Sequence, residues 1–101
     1  MRLRYTQSAT RGFDESVEYL REQASSVVAG FADGIEKAVG ELLEHPYSAQ
    51  ETEKQGVRRK YIRRFRYAIF YAVDREANEL VILHIRHAAR RWPWLDEEGE
   101  R

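Results

Sequence analysis

Apolar positions change their spacing along this chain in a way that divides it into helices and strands. Phe13, Val17 and Leu20 recur at helical spacing, with Asp14, Glu15, Glu18 and Glu22 largely off their face. This predicts a first helix over about residues 8–23, capped by the hydroxyl of Thr6 or Ser8. Ser25-Ser26 reads as a break and a second capping site. A cleaner stripe follows, made of Val28, Phe31, Ile35, Val39 and Leu42 with Ala32, Ala38 and Leu43 at its margins. Pro46 stops that helix near Glu44 or His45, because the residue before a proline is pushed out of the helical region. The two helices form a hairpin with a very short turn. Gly30, Gly34 and Gly40 read as glycines that let helices pack closely.

Strand periods flank the hairpin. Arg2-Leu3-Arg4-Tyr5-Thr6 alternates polar and apolar residues. Tyr47 to Gly56 is a polar loop without period. Strands are predicted at about 57–64, 67–73 and 79–87, turning at Arg64-Phe65-Arg66 and at Asp74 to Asn78. The order is βααβββ, an α+β fold with the helical hairpin on one face of a curved, mainly antiparallel sheet. Its last two strands are apolar on both faces. Tyr67, Ile69, Tyr71 and Val73 share one face, which favours core packing, and Ala68, Phe70 and Ala72 share the other. By strict alternation Leu80 and Ile82 oppose Val81, Leu83, Ile85 and His87. Two helices cover one face, so the other needs a cover, either the tail Trp92 to Leu95 or a partner.

Charge adds what the pattern leaves out. The chain of 101 residues is formally neutral. Residues 57–91 nevertheless carry ten Lys/Arg against three Asp/Glu, or +7, while residues 1–56 carry six against ten, or −4. The predicted sheet is therefore positive, and such a surface suits an anionic partner. The length fits one domain, taken as residues 1–95, followed by an acidic tail over 96–101. Cysteine is absent, which fits a reducing compartment. No apolar run approaches the roughly 18 residues of a membrane span, and no secretory signal is visible, so a soluble cytoplasmic protein is expected. No metal constellation, phosphate-cradling loop or cofactor motif appears.

Several of these residues occur in a familiar order. Arg63-Arg64-Phe65-Arg66-Tyr67-Ala68-Ile69-Phe70-Tyr71-Ala72-Val73 resembles the hallmark strand of the RelE/ParE toxin superfamily, an arginine–aromatic lead-in before Tyr-x-Ile-x-Tyr-x-Val. His87-Ala88-Ala89-Arg90-Arg91, followed by Pro93 and Trp94, resembles that family's closing segment. Tyr5-Thr6, leading into an acidic helix with Tyr19-Leu20, is also similar, so the resemblance spans Leu3 to Trp94. It implies the toxin of a type II toxin–antitoxin module, neutralised by a tightly bound antitoxin in a hetero-oligomeric complex. In such families the RelE branch cuts mRNA in the ribosome, and the ParE branch poisons DNA gyrase and serves plasmid stabilization. The RelE branch commonly places an arginine three residues before the strand's Tyr. Counted from Tyr71 that position is Ala68, and the lysine-rich loop of that branch is missing, with only Lys54 and Lys60 nearby. The strand resembles the ParE branch more closely, although Arg66 stands where related members often have proline.

This resemblance implies a gyrase inhibitor with no cofactor. Its target- and partner-binding candidates are Arg59, Arg63, Arg64, Arg66, Tyr67, His87, Arg90, Arg91 and Trp94. The alternative is a ribosome-dependent mRNA endonuclease using His87, Arg90 and an arginine such as Arg64 or Arg66. A third reading is a non-toxic basic member that binds nucleic acid. Each candidate has a plainer account. His87 also suits a strand-terminal bond to nearby backbone. Arg90 and Arg91 also suit pairing with the acidic tail, and the basic stripe also suits a solvated edge strand. His84, among apolar strand residues, reads as structural, and His45 as a helix C-terminal cap. Trp92 and Trp94 either fold back on the sheet or belong to the target surface.

Overall fold

The computed structural model describes residues 1–90 together with 93 and 94. Arg91, Trp92, Leu95 and the tail 96–101, with the expectations stated for them, lie outside the described residues. The order is β1 (Arg2–Tyr5), α1 (Gln7–Ala24), a 3-10 turn (Ser25–Val27), α2 (Val28–Glu44), β2 (Gln50–Glu51), β3 (Arg58–Ile62), β4 (Tyr67–Asp74) and β5 (Glu79–His87). The sheet runs β1-β5-β4-β3-β2. β1 pairs with β5 in parallel, and every other neighbouring pair is antiparallel. This is the α+β fold expected, with one strand more.

Thr6 joins the two kinds of structure. Its Oγ1 accepts the Ala9 N–H at 3.1 Å, which caps α1, and donates to the Leu83 carbonyl of β5 at 2.8 Å. α1 then crosses β5 with almost no space between backbones. A Cβ added at Gly12 would lie 2.3 Å from the Ile85 carbonyl oxygen, so only glycine fits there. The glycines singled out above have another role. Cβ atoms added at Gly30 and Gly34 would meet the Phe65 ring at 3.7 and 3.4 Å, and one at Gly40 would meet nothing within 4 Å. Gly30 and Gly34 admit an aromatic from the β3–β4 turn, and none of the three has another helix as its near neighbour. Ser25 and Ser26 do not cap α2 either. They form the 3-10 turn, where the Ser25 carbonyl accepts the Val28 N–H, and no side chain caps α2.

The helix face of the sheet is closed by a continuous core. Phe31, Ile35, Ala38, Val39 and Leu42 of α2 bury against Tyr67, Ile69 and Tyr71 of β4 and Leu80, Ile82 and Ile85 of β5. Phe31 stacks on Phe13 at 5.7 Å and meets Phe65 and Tyr67 edge-on at 5.6 and 4.9 Å. The Tyr71 hydroxyl donates to the Pro46 carbonyl at 2.7 Å, so this buried phenol is satisfied.

Two features depart from the sequence reading. The polar segment after Tyr47 contains β2, which pairs Gln50 with Arg59 and Glu51 with Arg58. Its cause is a side chain: Arg58 donates to the Tyr47 and Ala49 carbonyls at 3.1 and 2.8 Å and pairs with Glu51. The second is a bulge. Phe70 faces His84 while Tyr71 faces Ile82, so Leu83 is an extra residue in β5. Alternation breaks there. Ile85 and His87 turn to the helix face instead of the Leu83 face, and His84 and Arg86 turn to the open face.

Candidate functional site

The open face of the sheet is read from directly opposed residues, which share a face. Arg59, Phe70 and His84 form one row across β3, β4 and β5, and Tyr61, Ala68 and Arg86 form the next. The first row is partly covered. Trp94 packs edge-on against Phe70 at 6.0 Å, and Val57, Ala68, Phe70, Leu83 and Trp94 form a second, small apolar cluster. The indole N–H donates to Glu53 at 3.0 Å, and the Lys54 ammonium sits 5.7 Å from the ring centroid. Trp94 therefore folds back on the sheet, the first of the two placements considered for it.

The second row leads to the basic end of the sheet. Tyr61 is 44% exposed there, beside Ala68, which is 1% exposed. Arg66 closes the β3–β4 turn in the left-handed region, with φ 58°. Its N–H donates to the Arg63 carbonyl, and its own carbonyl accepts the Ala88 N–H at 2.7 Å. The turn after β5 is held by the Arg90 N–H donating to the His87 carbonyl. Exposed Arg63, Arg66 and Arg90 thus sit on two turns stitched together by backbone bonds. Between Val57 and Val73, and again between Leu80 and Arg91, the chain has no carboxylate side chain.

Not every candidate joins this cluster. Tyr67 is buried on the helix face, with His87 edge-on to its ring at 5.4 Å. The His87 Nδ1 accepts the Ala89 N–H at 3.1 Å, so the neutral ring carries its proton on Nε2. Arg64 also leaves the group: its guanidinium lies 5.1 Å from the Phe65 ring centroid, beside Gly30. The sequence reading missed Tyr61 and Arg86. Tyr61 was findable from its parity with Arg59, whereas Arg86 was hidden by the bulge that changes its face.

A different surface lies at the other end. An apolar groove of about 690 Å³ runs between the edge strand β1 and the helices, lined by Leu3, Tyr5, Phe13, Ile35, Val39 and Leu43. Burial and the nearby Glu36 raise the pKa of the Tyr5 phenol. Burial also raises that of Tyr71, against the opposing charge of Arg58. Lys60, bonded to Glu41 at 3.0 Å, lowers that carboxyl's pKa. Among the described residues no His/Cys/Asp/Glu group could hold a metal ion. No described helix is long and apolar enough to cross a membrane.

Comparison with known families gives one match, described as the ParE toxin of the type II toxin–antitoxin system parDE, over residues 3–92. No curated protein sequence matches. Among solved structures, the chromosomal ParDE toxin–antitoxin system of P. aeruginosa superposes with a TM-score of 0.75 at 20% identity, covering 86% of this chain and 95% of that one. The isolated RelE toxin of E. coli gives 0.62 at 19% identity, covering 99% and 96%. The intact E. coli RelBE toxin–antitoxin complex gives 0.64 at 19%, covering 88% and 98%. Identities this low speak to the fold.

Proposed function

This chain belongs to the ParE toxin family of type II toxin–antitoxin systems, and from that premise we propose that it inhibits DNA gyrase when free and is silenced by a cognate antitoxin. The choice of target rests on what occupies the sheet's open face. RNA cleavage calls for a base, an acid and cations around one phosphate. The position at which the RelE branch would carry an arginine is Ala68, buried beside Val57 and Phe70. His87 stands on the helix face, its Nδ1 committed to a backbone N–H. Arginine stays protonated at neutral pH, so Arg59, Arg63, Arg66, Arg86 and Arg90 bind anions without exchanging protons. An arginine surface with one exposed tyrosine favours a stoichiometric grip over turnover.

In this reading the basic sheet end and the segment around Trp94 hold gyrase in its cleaved-DNA state. The antitoxin lays an amphipathic segment into the apolar groove beside β1. The presence of toxin–antitoxin systems among the similar structures supports such a partner. The place of action is the cytoplasm, residues 1–95 form the toxin domain, and 96–101 are an acidic appendage.

The test is tightly controlled induction in bacterial cells, with DNA and protein synthesis pulse-labelled in parallel. DNA synthesis should fall first, and purified protein should inhibit gyrase supercoiling. Arg59→Ala with Arg86→Ala should abolish toxicity, and His87→Ala should retain it. A first fall in protein synthesis would instead support ribosome-dependent mRNA cleavage. That second reading draws on Arg59 and Arg86, which stand in adjacent rows of the open face, opposite Phe70 and Ala68, and would also suit a phosphate. If neither falls, the non-toxic reading is left.

A further inference from the structure

The core requires a bulge in β5 and does not say where it sits. Ile82 and Ile85 are both buried on the helix face, three residues apart. Same-face residues of a regular strand are an even number apart, so one residue between these two must be extra. Either Leu83 or His84 would serve. Hydrophobicity favours Leu83 opposite Phe70, within the apolar cluster that it already touches. The structure has the other arrangement, with His84 opposite Phe70 and Leu83 as the extra residue.

Thr6 meets β5 at that point. In an unbroken strand consecutive carbonyls turn to opposite neighbours. Here the carbonyls of Ile82 and Leu83 both accept from Thr6, the first from its N–H at 3.0 Å and the second from its hydroxyl at 2.8 Å. The hydroxyl thus satisfies the carbonyl of the residue that the β4 ladder skips, a group that a bulge otherwise leaves unpaired. α1 meets β5 again just beyond, where Gly12 lies against the Ile85 carbonyl. We propose that Thr6 is a positioning residue of the basic face: its hydroxyl holds the bulge at Leu83, and the bend placed there aims Arg86 along the row of Tyr61 and Ala68. Without that bond the bulge moves to His84, and Leu83 takes the place opposite Phe70. Arg86 keeps its row and loses its aim, because a bulge redirects the side chains beside it. The inference rests on the part of the proposed function that gives Arg86 a role, whatever the target. The competing account is that Thr6 only caps α1.

Substitution separates the two roles. Thr6→Asp keeps an acceptor for the Ala9 N–H and has no proton to donate to Leu83. Thr6→Val has neither, and Thr6→Ser keeps both. In NMR spectra of isotope-labelled protein, backbone NOEs between Phe70 and His84 should give way to NOEs between Phe70 and Leu83 in the Asp and Val variants, and persist in the Ser variant. Function is read in pulse-labelled cells, as the level of protein that halves whichever synthesis, DNA or protein, falls first. That level should rise about tenfold for Thr6→Asp, the loss of one bond to a charged group. Arg86→Ala should raise it too, and Thr6→Asp added to Arg86→Ala should raise it no further, since residues that act as a unit are not additive. Phe70–His84 NOEs that persist in the Asp and Val variants overturn the proposal. So does an unchanged level for Thr6→Asp, or an effect that adds in full to that of Arg86→Ala. A wild-type chain that halts neither synthesis overturns the functional half together with the proposed function, and the NOEs then decide the bulge alone.

Discussion

The two faces of the sheet use the same three strands and are closed in opposite ways. On the helix face, Tyr67, Ile69, Tyr71, Leu80, Ile82 and Ile85 are buried under two helices, with Phe31 between three other rings. On the open face, Val57, Ala68, Phe70 and Leu83 are met by Trp94, and the next row ends in tyrosine and arginine. The first face carries most of the folding free energy, because burial scales with apolar area removed from water. The second exposes the tyrosine and arginines on which the proposed function rests. The two faces of one pleated layer thus differ in how fully they are closed.

Replacing Phe31 by Ala tests the larger side of that division, and about 4 kcal/mol should be lost from a denaturant midpoint. Gly12→Ala asks whether the α1–β5 approach is as tight as its 2.3 Å contact indicates. The backbone must part, at about 3 kcal/mol. On the open face, Trp94→Ala should cost about 2 kcal/mol, since the indole is half-buried. An equal loss for Trp94→Ala and Phe31→Ala would erase the asymmetry.

Tyr71→Phe separates packing from hydrogen bonding within the helix face, with about 1 kcal/mol lost at neutral pH. Its pH dependence is more telling. The folded pKa of Tyr71 is raised above 10.0 by burial, so the native state binds the phenolic proton more tightly than the unfolded chain. Stability should then be whole below pH 10 and fall as pH rises through the folded value. The Phe variant should show a shallower alkaline loss, with Tyr5 still titrating. The smallest change is Arg66→Gly. Relief of the left-handed φ should raise stability by about 0.5 kcal/mol, readable as a small rise in Tm.

Much of the fold was legible because its signals are periodic and local. The stripe from Val28 to Leu42 became α2, and Thr6 capped α1 as a hydroxyl should. The switch at Val57 marked the sheet. What escaped depends on partners far away in sequence. No residue type spells the bulge at Leu83, yet it decides the faces of Ile85, Arg86 and His87. β2 exists because Arg58 gathers the carbonyls of Tyr47 and Ala49, a bond invisible to hydropathy. Nothing in the local sequence around Gly12 shows that β5 passes beneath it. The arginine-rich character of the candidate site was readable, as was the face of Tyr61 from its parity with Arg59, whereas the face of Arg86 was not.

The parallel pairing of β1 with β5 sets an order in time as well as in space. β1 has no neighbour in the sheet until β5 has been made, since Leu3 pairs with Leu80 and Tyr5 with Ile82. β5 must leave the ribosome before the sheet can close, and both helices precede it in the chain. Completion of the sheet therefore waits on β5, although β1 is made first of the five strands.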